Sequence, residues 1–297
     1  MNILMTGGTG FIGSHFIQRL VTEGHHVYVL TRHPKKHKDT EHISYISFRY
    51  SMKKLPFIHA VINLAGESLF GFWTEEKKEK IVASRIAVTE KLTNMLMQMK
   101  EKPEVFISGS AIGFYGTAED TIFTEYTKRP SGDFLGEVTS KWERAAKVAE
   151  DLGVRTVYAR FGVVLDKYEG ALPQMALPIK LGVGGTIGSG EQWLSWIHIN
   201  DCVNLLYFIL KNDTMTGAVN ITAPHPVRNK EFTASLASIL KRPNLFTIPT
   251  PIIGKVVGEM GQLITEGQYV LPKKALQQDF IFHYEHIIDA LENIYQK

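Results

Sequence analysis

The sequence is poor in cysteine and has no long apolar run. It contains a single cysteine, Cys202, in 297 residues, which excludes an intramolecular disulfide and a thiolate metal cluster and fits a reducing compartment. No run approaches about 20 consecutive apolar residues, and the first strand begins at the N-terminus without room for a signal peptide. We therefore expect a cytoplasmic protein that does not interact with a membrane.

A strong charge imbalance is also missing. The formal net charge is +3, and no basic patch is interleaved with aromatic residues as it is in proteins that bind single-stranded nucleic acid. These absences argue against a nucleic-acid partner and leave a small molecule as the expected one. A ligand that carries phosphate would account for the small positive excess.

A glycine-rich turn follows directly on the first apolar strand at residues 3–5. Apolar residues then recur at helical spacing from Phe16 to Val21. A strand, a tight glycine turn and a helix N-terminus together form the usual pyrophosphate site of a dinucleotide. The residues predicted to form this site are Thr6, Gly7, Gly10, Phe11, Ile12 and Gly13.

The end of the second strand indicates which dinucleotide binds. An acidic residue about 20 positions after the glycines would hydrogen-bond the adenosine ribose of NAD. The sequence has Thr31 and Arg32 there, and the first carboxylate after them is Asp39. A basic residue at this place suits a 2′-phosphate, so NADP(H) is favoured over NAD(H), with Arg32 as the main contact. A solvated basic loop is the alternative interpretation.

Strand and helix patterns alternate along the first half of the chain. Strands are predicted at 43–48, 58–63, 105–108 and 154–160, and helices at 74–99, 132–152 and 201–210, the last with Asp201 as its N-cap. This alternation predicts an α/β protein with a Rossmann-type, doubly wound parallel sheet. We expect a nucleotide-binding domain over 1–165, its sheet completed by segments from 195–225, and a smaller C-terminal α/β substrate lobe over 166–297.

Four separated motifs resemble one family. They are Thr6-Gly7-x-x-Gly10-x-x-Gly13, Asn63-Leu64-Ala65-Gly66, Ser108-Gly-Ser110-Ala-Ile-Gly-Phe-Tyr115-Gly116 and Trp196-Ile-His198-Ile-Asn-Asp201. Together they resemble the extended short-chain dehydrogenase/reductases of the NAD(P)-dependent sugar epimerase/dehydratase type. Ser84-Arg85, Arg160-Phe-Gly162 and Gln268-x-x-x-Pro272 resemble an atypical "epimerase family" branch, whose C-terminal domain of unknown function would span 242–297.

The resemblance implies further contacts and an assembly. Cofactor contacts are implied for Leu64, Ala65, Gly66, Glu67, Ser108 and Arg160. The long helices at 74–99 and 132–152 could pair across a two-fold axis, as in many relatives, so a homodimer is a possible assembly.

The catalytic residues implied by the resemblance are incomplete. The superfamily uses a serine or threonine, a tyrosine, and a lysine four positions after that tyrosine. Ser110 fits the serine, but no tyrosine lies between Tyr126 and Tyr158. Aligning Glu143 with the glutamate that often follows the lysine puts Leu135 and Thr139 at the tyrosine and lysine positions. Taking Lys141 as the lysine instead puts Glu137 at the tyrosine position.

Replacements for the missing pair are expected near the carboxyl ends of the strands. The catalytic candidates are Ser110, Tyr115, Glu137 and Lys141. A carboxylate could act as a general base there if burial raises its pKa. Structural interpretations remain open: Ser110 could satisfy backbone groups, Tyr115 could pack the turn, and Glu137 could be a solvated carboxylate in the first turn of a helix.

Substrate contacts are predicted for Arg85, Gln192 and Trp193, whereas His198 is interpreted as structural. No group of His, Cys, Asp and Glu has metal-ligand spacing, so no metal is predicted. The expected function is that of an NADP(H)-binding oxidoreductase or epimerase-like enzyme that acts on a small polar carbonyl or sugar-nucleotide compound. The alternative is a non-catalytic NADPH-binding sensor or scaffold.

Overall fold

The computed structural model describes residues 1–128, 130–244, 246–251, 253 and 258–296. The strands are β1 (Asn2–Thr6), β2 (His26–Leu30), β3 (Ile43–Ile46), β4 (Ala60–Asn63), β5 (Val105–Ala111), β6 (Ile122–Phe123), β7 (Arg155–Phe161), β8 (Val163–Leu165), β9 (Gly185–Ile187), β10 (Trp193–Leu194), β11 (Trp196–His198), β12 (Gly217–Ile221), β13 (Val227–Arg228), β14 (Phe246–Ile248) and β15 (Tyr269–Val270). The helices are α1 (Phe11–Thr22), α2 (Glu75–Gln98), α3 (Phe134–Asp151), α4 (Leu172–Lys180), α5 (Ile199–Lys211), α6 (Asn229–Ile239), α7 (Gln262–Thr265), α8 (Lys273–Gln277) and α9 (Ile287–Gln296). Short 3₁₀ turns span Pro34–Lys36, Met52–Lys54, Ile112–Tyr115 and Gly258–Gly261.

Seven strands form one parallel sheet in the order β12-β7-β5-β4-β1-β2-β3. The chain winds outward in both directions from β1, so the strand order reverses between β1 and β4. In open α/β sheets a ligand binds outside the carboxyl ends of the strands at this point. The predicted α/β class with a doubly wound parallel sheet is confirmed.

Alternation along β1 divides the core into two layers. Ile3 and Met5 pack with apolar residues of α1 and α5 on one face of the sheet, while Leu4 packs with residues of α2 and α3 on the other face. Successive side chains of a strand point to opposite faces. Both faces of the central strand are therefore covered by helices, as a parallel sheet requires.

The two long helices begin at side-chain caps. The Thr74 hydroxyl accepts a hydrogen bond from the backbone N–H of Lys77 (3.2 Å) at the start of α2, and Asp133 Oδ1 accepts one from Gly136 (2.8 Å) at the start of α3. Such caps satisfy backbone donors that the first turn leaves without partners. The predicted bounds, 74–99 and 132–152, agree with the observed ones to within two residues. No helix in the described part of the chain is long and apolar enough to cross a membrane.

The predicted role of Asp201 as an N-cap is wrong. The N-cap of α5 is His198, whose side chain accepts a hydrogen bond from the backbone N–H of Asn200 (3.0 Å). Asp201 is fully buried inside the helix. Its two carboxylate oxygens accept hydrogen bonds from the backbone N–H groups of His283 and Tyr284 at 2.8–3.1 Å. Asp201 therefore joins α5 to the C-terminal segment.

The second apolar cluster lies beneath α4, α6 and α9. The C-terminal segment also pairs with the first half of the chain, because β15 and β6 form a separate two-stranded parallel sheet. The Gln268 amide donates to the carbonyl of Ile112 (3.2 Å), just after β5, and the Gln268 carbonyl accepts from the Ser195 hydroxyl (2.8 Å). The C-terminal segment thus contacts the carboxyl edge of the main sheet.

Arg155, the first residue of β7, connects the start of this strand to the end of α5. Its guanidinium donates to the carbonyls of Ile209 (3.1 Å), Leu210 (3.2 Å) and Met215 (2.9 Å). We expect Arg155→Met to lower the free energy of unfolding by about 2–4 kcal/mol, because three carbonyls lose a charged donor and the helix C-terminus loses a cation. Urea denaturation followed by circular dichroism measures this loss.

The matched control is Arg144→Met, which removes the same charge from an exposed position on α3. Exposed substitutions of this kind usually change the free energy of unfolding by no more than about 0.5 kcal/mol. Equal losses in the two variants would contradict the capping role of Arg155.

Candidate functional site

The glycine turn after β1 brings the backbone close to the neighbouring β4 loop. Gly7 has a φ of +73°, and a Cβ there would lie 2.3 Å from the carbonyl carbon of Leu64. A Cβ on Gly13 would lie 2.1 Å from the carbonyl oxygen of Gly7. Neither position has room for a side chain, so both glycines are required by the fold of the turn.

Gly10 leaves a bare backbone at the start of α1. It is exposed, its N–H donates to the Gly7 carbonyl (3.0 Å), and it is the N-cap of the helix without a side-chain cap. Phe11 and Ile12 form the first turn, where backbone N–H groups have no partner within the helix. Gly8, by contrast, packs inward, because a Cβ there would meet the side chains of Ile17 and Val29. The first turn of α1 therefore fits a pyrophosphate.

The end of β2 lies beside this turn. The backbone N–H of Thr31 donates to the carbonyl of Ile46 (2.9 Å), and Arg32 is exposed. A hydrogen bond from Lys77 lowers the pKa of Glu67, and the nearby charge of Arg32 lowers it further. Arg32 is therefore near enough to the loop after β4 to act electrostatically on Glu67.

A buried polar chain joins the carboxyl ends of the central strands. The Thr6 hydroxyl donates to Asn63 Oδ1 (2.7 Å), and Asn63 Nδ2 donates to the hydroxyls of Thr89 (2.8 Å) and Ser108 (3.5 Å). The side chains of Thr6, Asn63 and Ser108 are thus engaged within the protein. These bonds hold the carboxyl ends of β1, β4 and β5 together, at the edge of the sheet where a cofactor would lie.

Side chains of α2 bind the backbone of the loop that follows β4. The backbone N–H of Glu67 donates to the Ser84 hydroxyl (2.9 Å), and Arg85 Nη1 donates to the Glu67 carbonyl (3.1 Å). The Arg85 guanidinium also lies 5.2 Å from the Trp142 ring centroid, and burial lowers the pKa of Arg85 to about 10. The geometry therefore places Arg85, predicted as a substrate contact, as a support for the Leu64–Ala65–Gly66–Glu67 loop.

Ser110, near the end of β5, is bonded to a buried ion pair. Its hydroxyl donates to Glu143 Oε1 (2.7 Å). Arg160 holds the same carboxylate with two bonds, Nε to Oε1 (2.7 Å) and Nη2 to Oε2 (2.8 Å). The guanidinium carbon lies 3.5 Å from the Phe114 ring centroid. Arg160, predicted as a cofactor contact, thus fixes the carboxylate that Ser110 faces.

Tyr115 extends this network towards the edge of the sheet. Its hydroxyl accepts from Arg160 Nη1 (3.0 Å) and donates to Asn220 Oδ1 (2.7 Å). Burial raises the pKa of Tyr115 to about 12, although the neighbouring Arg160 acts in the opposite direction. Tyr115 is therefore a neutral phenol at physiological pH.

Asn220 and Glu125 link the network to the C-terminal segment. Asn220 Nδ2 donates to the carbonyl of Leu271 (2.9 Å). Glu125 Oε1 accepts from the backbone N–H groups of Asn220 (3.1 Å) and Lys274 (3.2 Å), and burial raises the pKa of Glu125. Six chain segments therefore share one polar network, at residues 110–115, 125, 143, 160, 220 and 271–274.

Glu137 and Lys141 lie outside the network. They form an ion pair with each other across one turn of α3 (3.4 Å), and their side chains are 60% and 54% exposed. The helix places Glu143 against Ser110 instead. The sequence did not predict either Glu143 or Asn220 as a site residue. Glu143 entered only as a reference for aligning the lysine position, and no local pattern indicated Asn220.

Gln192 and Trp193 lie in the second lobe. Gln192 Nε2 donates to the carbonyl of Ile187 (3.1 Å), and the Trp193 indole donates to the carbonyl of Glu119 (2.8 Å). The Arg228 guanidinium carbon lies 3.7 Å from the Trp193 ring centroid. Both side chains are partly exposed, so they remain available as predicted substrate contacts.

Known proteins share both parts of this architecture. The sequence model of the NAD dependent epimerase/dehydratase family matches residues 3–222, and a domain of unknown function, DUF1731, matches residues 248–294. The epimerase family protein YfhF of Bacillus subtilis (strain 168) is 43% identical over 297 residues, which are 99% of this chain and 98% of that protein.

Solved structures of epimerases are similar to this protein as well. The human epimerase family protein SDR39U1 (isoform 2), crystallised with NADPH, superposes with a TM-score of 0.91 at 30% identity, and the match covers all of both chains. UDP-glucuronic acid 4-epimerase of Bacillus cereus, in complex with NAD, superposes with a TM-score of 0.75 at 18% identity over 100% of this chain and 98% of that one, a likeness of fold. The resemblance noted in the sequence is confirmed, and the chain belongs to the NAD-dependent epimerase/dehydratase family.

Proposed function

We propose that this protein binds NADP(H) at the glycine turn and catalyses hydride transfer on a small polar carbonyl or hydroxyl compound, such as a sugar nucleotide. Bound nicotinamide would supply or accept the hydride. Ser110 and Glu143 would handle the proton of the reacting oxygen. The observation that carries the proposal is the 2.7 Å hydrogen bond from Ser110 to Glu143, next to the strand ends where the cofactor fits.

The direction of that hydrogen bond determines what Ser110 can offer. A serine hydroxyl has one proton and two lone pairs, and here the proton points at Glu143. Ser110 is therefore ready to accept a hydrogen bond from a substrate O–H. When that substrate proton moves to Ser110 Oγ, the serine proton can move to Glu143 Oε1. The carboxylate takes the place of the tyrosine as the final proton acceptor.

Arg160 keeps this proton acceptor in place. Its two bonds hold both carboxylate oxygens of Glu143, and its charge balances that of Glu143 within the protein. A bidentate arginine restricts the carboxylate to one orientation. The hydroxyl of the buried Tyr115 accepts a hydrogen bond from the remaining guanidinium nitrogen of Arg160, Nη1. Because the pKa of Tyr115 is raised to about 12, we do not expect this hydroxyl to exchange protons in the reaction.

The choice of NADP(H) has separate support. Arg32 is exposed at the end of β2, at the place where NAD-binding proteins of this fold use a carboxylate. The human relative at 30% identity was crystallised with NADPH. A guanidinium suits the 2′-phosphate because it can donate two parallel hydrogen bonds to phosphate oxygens.

A second candidate function is a sensor that binds NADPH without chemistry. It is favoured by the burial of Ser110, which is 2% exposed, and by the lack of a tyrosine between Tyr126 and Tyr158. In that case the Ser110–Glu143–Arg160 bonds would serve only to join β5, α3 and β7.

We expect Arg32→Ala to weaken NADPH binding by about 10- to 100-fold, because one charged hydrogen-bonding group is lost. NADH binding should change little, since NADH has no 2′-phosphate. Isothermal titration of each cofactor measures both affinities. Arg144→Ala, an exposed arginine on α3, is the matched charge control. Equal losses for NADPH and NADH in Arg32→Ala would contradict the phosphate contact.

We expect single-turnover mixing of the protein, NADP(H) and a panel of sugar nucleotides and small carbonyl compounds to change the NADPH absorbance with at least one compound. Ser110→Ala and Glu143→Gln should then slow the change by about 100-fold or more, because the proton path is interrupted. NADPH affinity should stay the same in Ser110→Ala.

Glu90→Gln, on the exposed face of α2, is the matched carboxylate control, and thermal unfolding verifies that Glu143→Gln is folded. A loss in Glu137→Gln with none in Glu143→Gln would contradict the assignment of the carboxylate. NADPH binding with no absorbance change across the panel would favour the sensor.

A further inference from the structure

Two histidines and a glutamate from distant parts of the chain meet on the surface of the C-terminal lobe. His225, Glu285 and His286 each present a ligand atom, and these atoms all lie within 4.8 Å of one another. His225 Nε2 lies 3.9 Å from Glu285 Oε2. The two imidazole rings are parallel to within 1°, with centroids 4.7 Å apart. All three residues are exposed, so an ion in solution can reach them.

The backbone at His225 is held firmly. His225 lies between Pro224 and Pro226, both of them buried, and proline fixes its own φ and restricts the residue before it. The His225 carbonyl accepts a hydrogen bond from the indole of Trp196 (3.1 Å), which is fully buried. The exposed imidazole therefore projects from a rigid position.

The opposite side of the cluster is held in the same way. Ile287, next to His286, is 2% exposed, and the His286 carbonyl accepts from the N–H of Ala290 (3.2 Å) at the start of α9. Before the cluster, the buried Asp201 carboxylate binds the backbone of residues 283–284. Two anchored segments thus present the three ligand groups to each other.

We propose that His225, Glu285 and His286 form a binding site for a zinc ion. Zinc bonds of about 2.0–2.2 Å in a tetrahedral site place the ligand atoms about 3.3–3.6 Å apart. The two imidazole rings are stacked in parallel planes, so each would have to turn about its side-chain torsions until the lone pair in its ring plane points at the ion. The rings are exposed and have room to turn. Two imidazoles and one carboxylate suit zinc better than magnesium or calcium, which prefer oxygen ligands alone. Water would complete the fourth position.

Bound zinc would connect two segments that are about 60 positions apart in sequence, 225 and 285–286. Because the three ligands come together only in the folded chain, the ion would stabilise the docked C-terminal segment. The sequence analysis predicted no metal because it depended on ligands at short spacings along the chain, and these ligands are about 60 positions apart. None of its three residues belongs to the glycine turn or to the Ser110–Glu143–Arg160 network.

The experiment uses the full chain, free of any affinity tag and treated with chelator, titrated with Zn²⁺ in a calorimeter. We expect one ion per chain. His225→Ala and His286→Ala should each weaken binding at least about 10-fold, since even loss of a residue behind a metal ligand costs that much. The control is His37→Ala, another exposed histidine that stacks on a ring, that of Tyr45. It should bind zinc like the parent.

Copper provides a second readout that does not depend on affinity. The electron paramagnetic resonance spectrum of bound Cu²⁺ should show coupling to two imidazole nitrogens in the parent and to one in each single variant. Undiminished Zn²⁺ binding in the His225→Ala/His286→Ala double variant would overturn the proposal. So would loss of binding in His283→Ala, because it would place the ion at the His283–Asp201 pair, where Nδ1 and Oδ1 are 3.3 Å apart.

Discussion

The buried ion pair between Arg160 and Glu143 is the interaction on which the candidate site depends. Arg160 comes from β7 and Glu143 from α3, and their two hydrogen bonds fix the helix against the sheet. Removing charges from water is costly, and a buried pair persists only when its remaining donors and acceptors are satisfied. Ser110 and Tyr115 supply those partners. The positions of both side chains therefore follow from the ion pair.

This arrangement changes the chemistry expected of the fold. A tyrosine becomes an acid or base near neutral pH only when a cation favours its phenolate form. At Tyr115 burial outweighs the effect of Arg160, and the pKa rises to about 12. At Tyr158, on β7, burial and the hydrogen bond to Glu150 also raise the pKa. In the proposed mechanism the carboxylate of Glu143, which Ser110 contacts, is the group that accepts the proton.

Local patterns predicted the elements well, because they depend on neighbouring residues. The glycine turn, the parallel sheet and the bounds of α2 and α3 all follow from periodicity and caps within short stretches. The same reasoning misplaced Asp201, since an acidic residue at the start of a helix resembles a cap. Its true partners lie some 80 positions later, at His283 and Tyr284, where no local rule can find them.

The sequence by itself determined the fold class, the glycine turn and the family, because each follows from patterns that can be recognised within single short stretches of the chain and then combined. Only the tertiary structure decided which carboxylate faces Ser110. Glu137 and Glu143 are six residues apart, so about 100° per residue places them about 120° apart around the axis of α3. The packing of that helix on β5 and β7 brings Glu143 inward and leaves Glu137 in solvent. Long-range packing likewise brought His225 next to His286, which sequence spacing could not show.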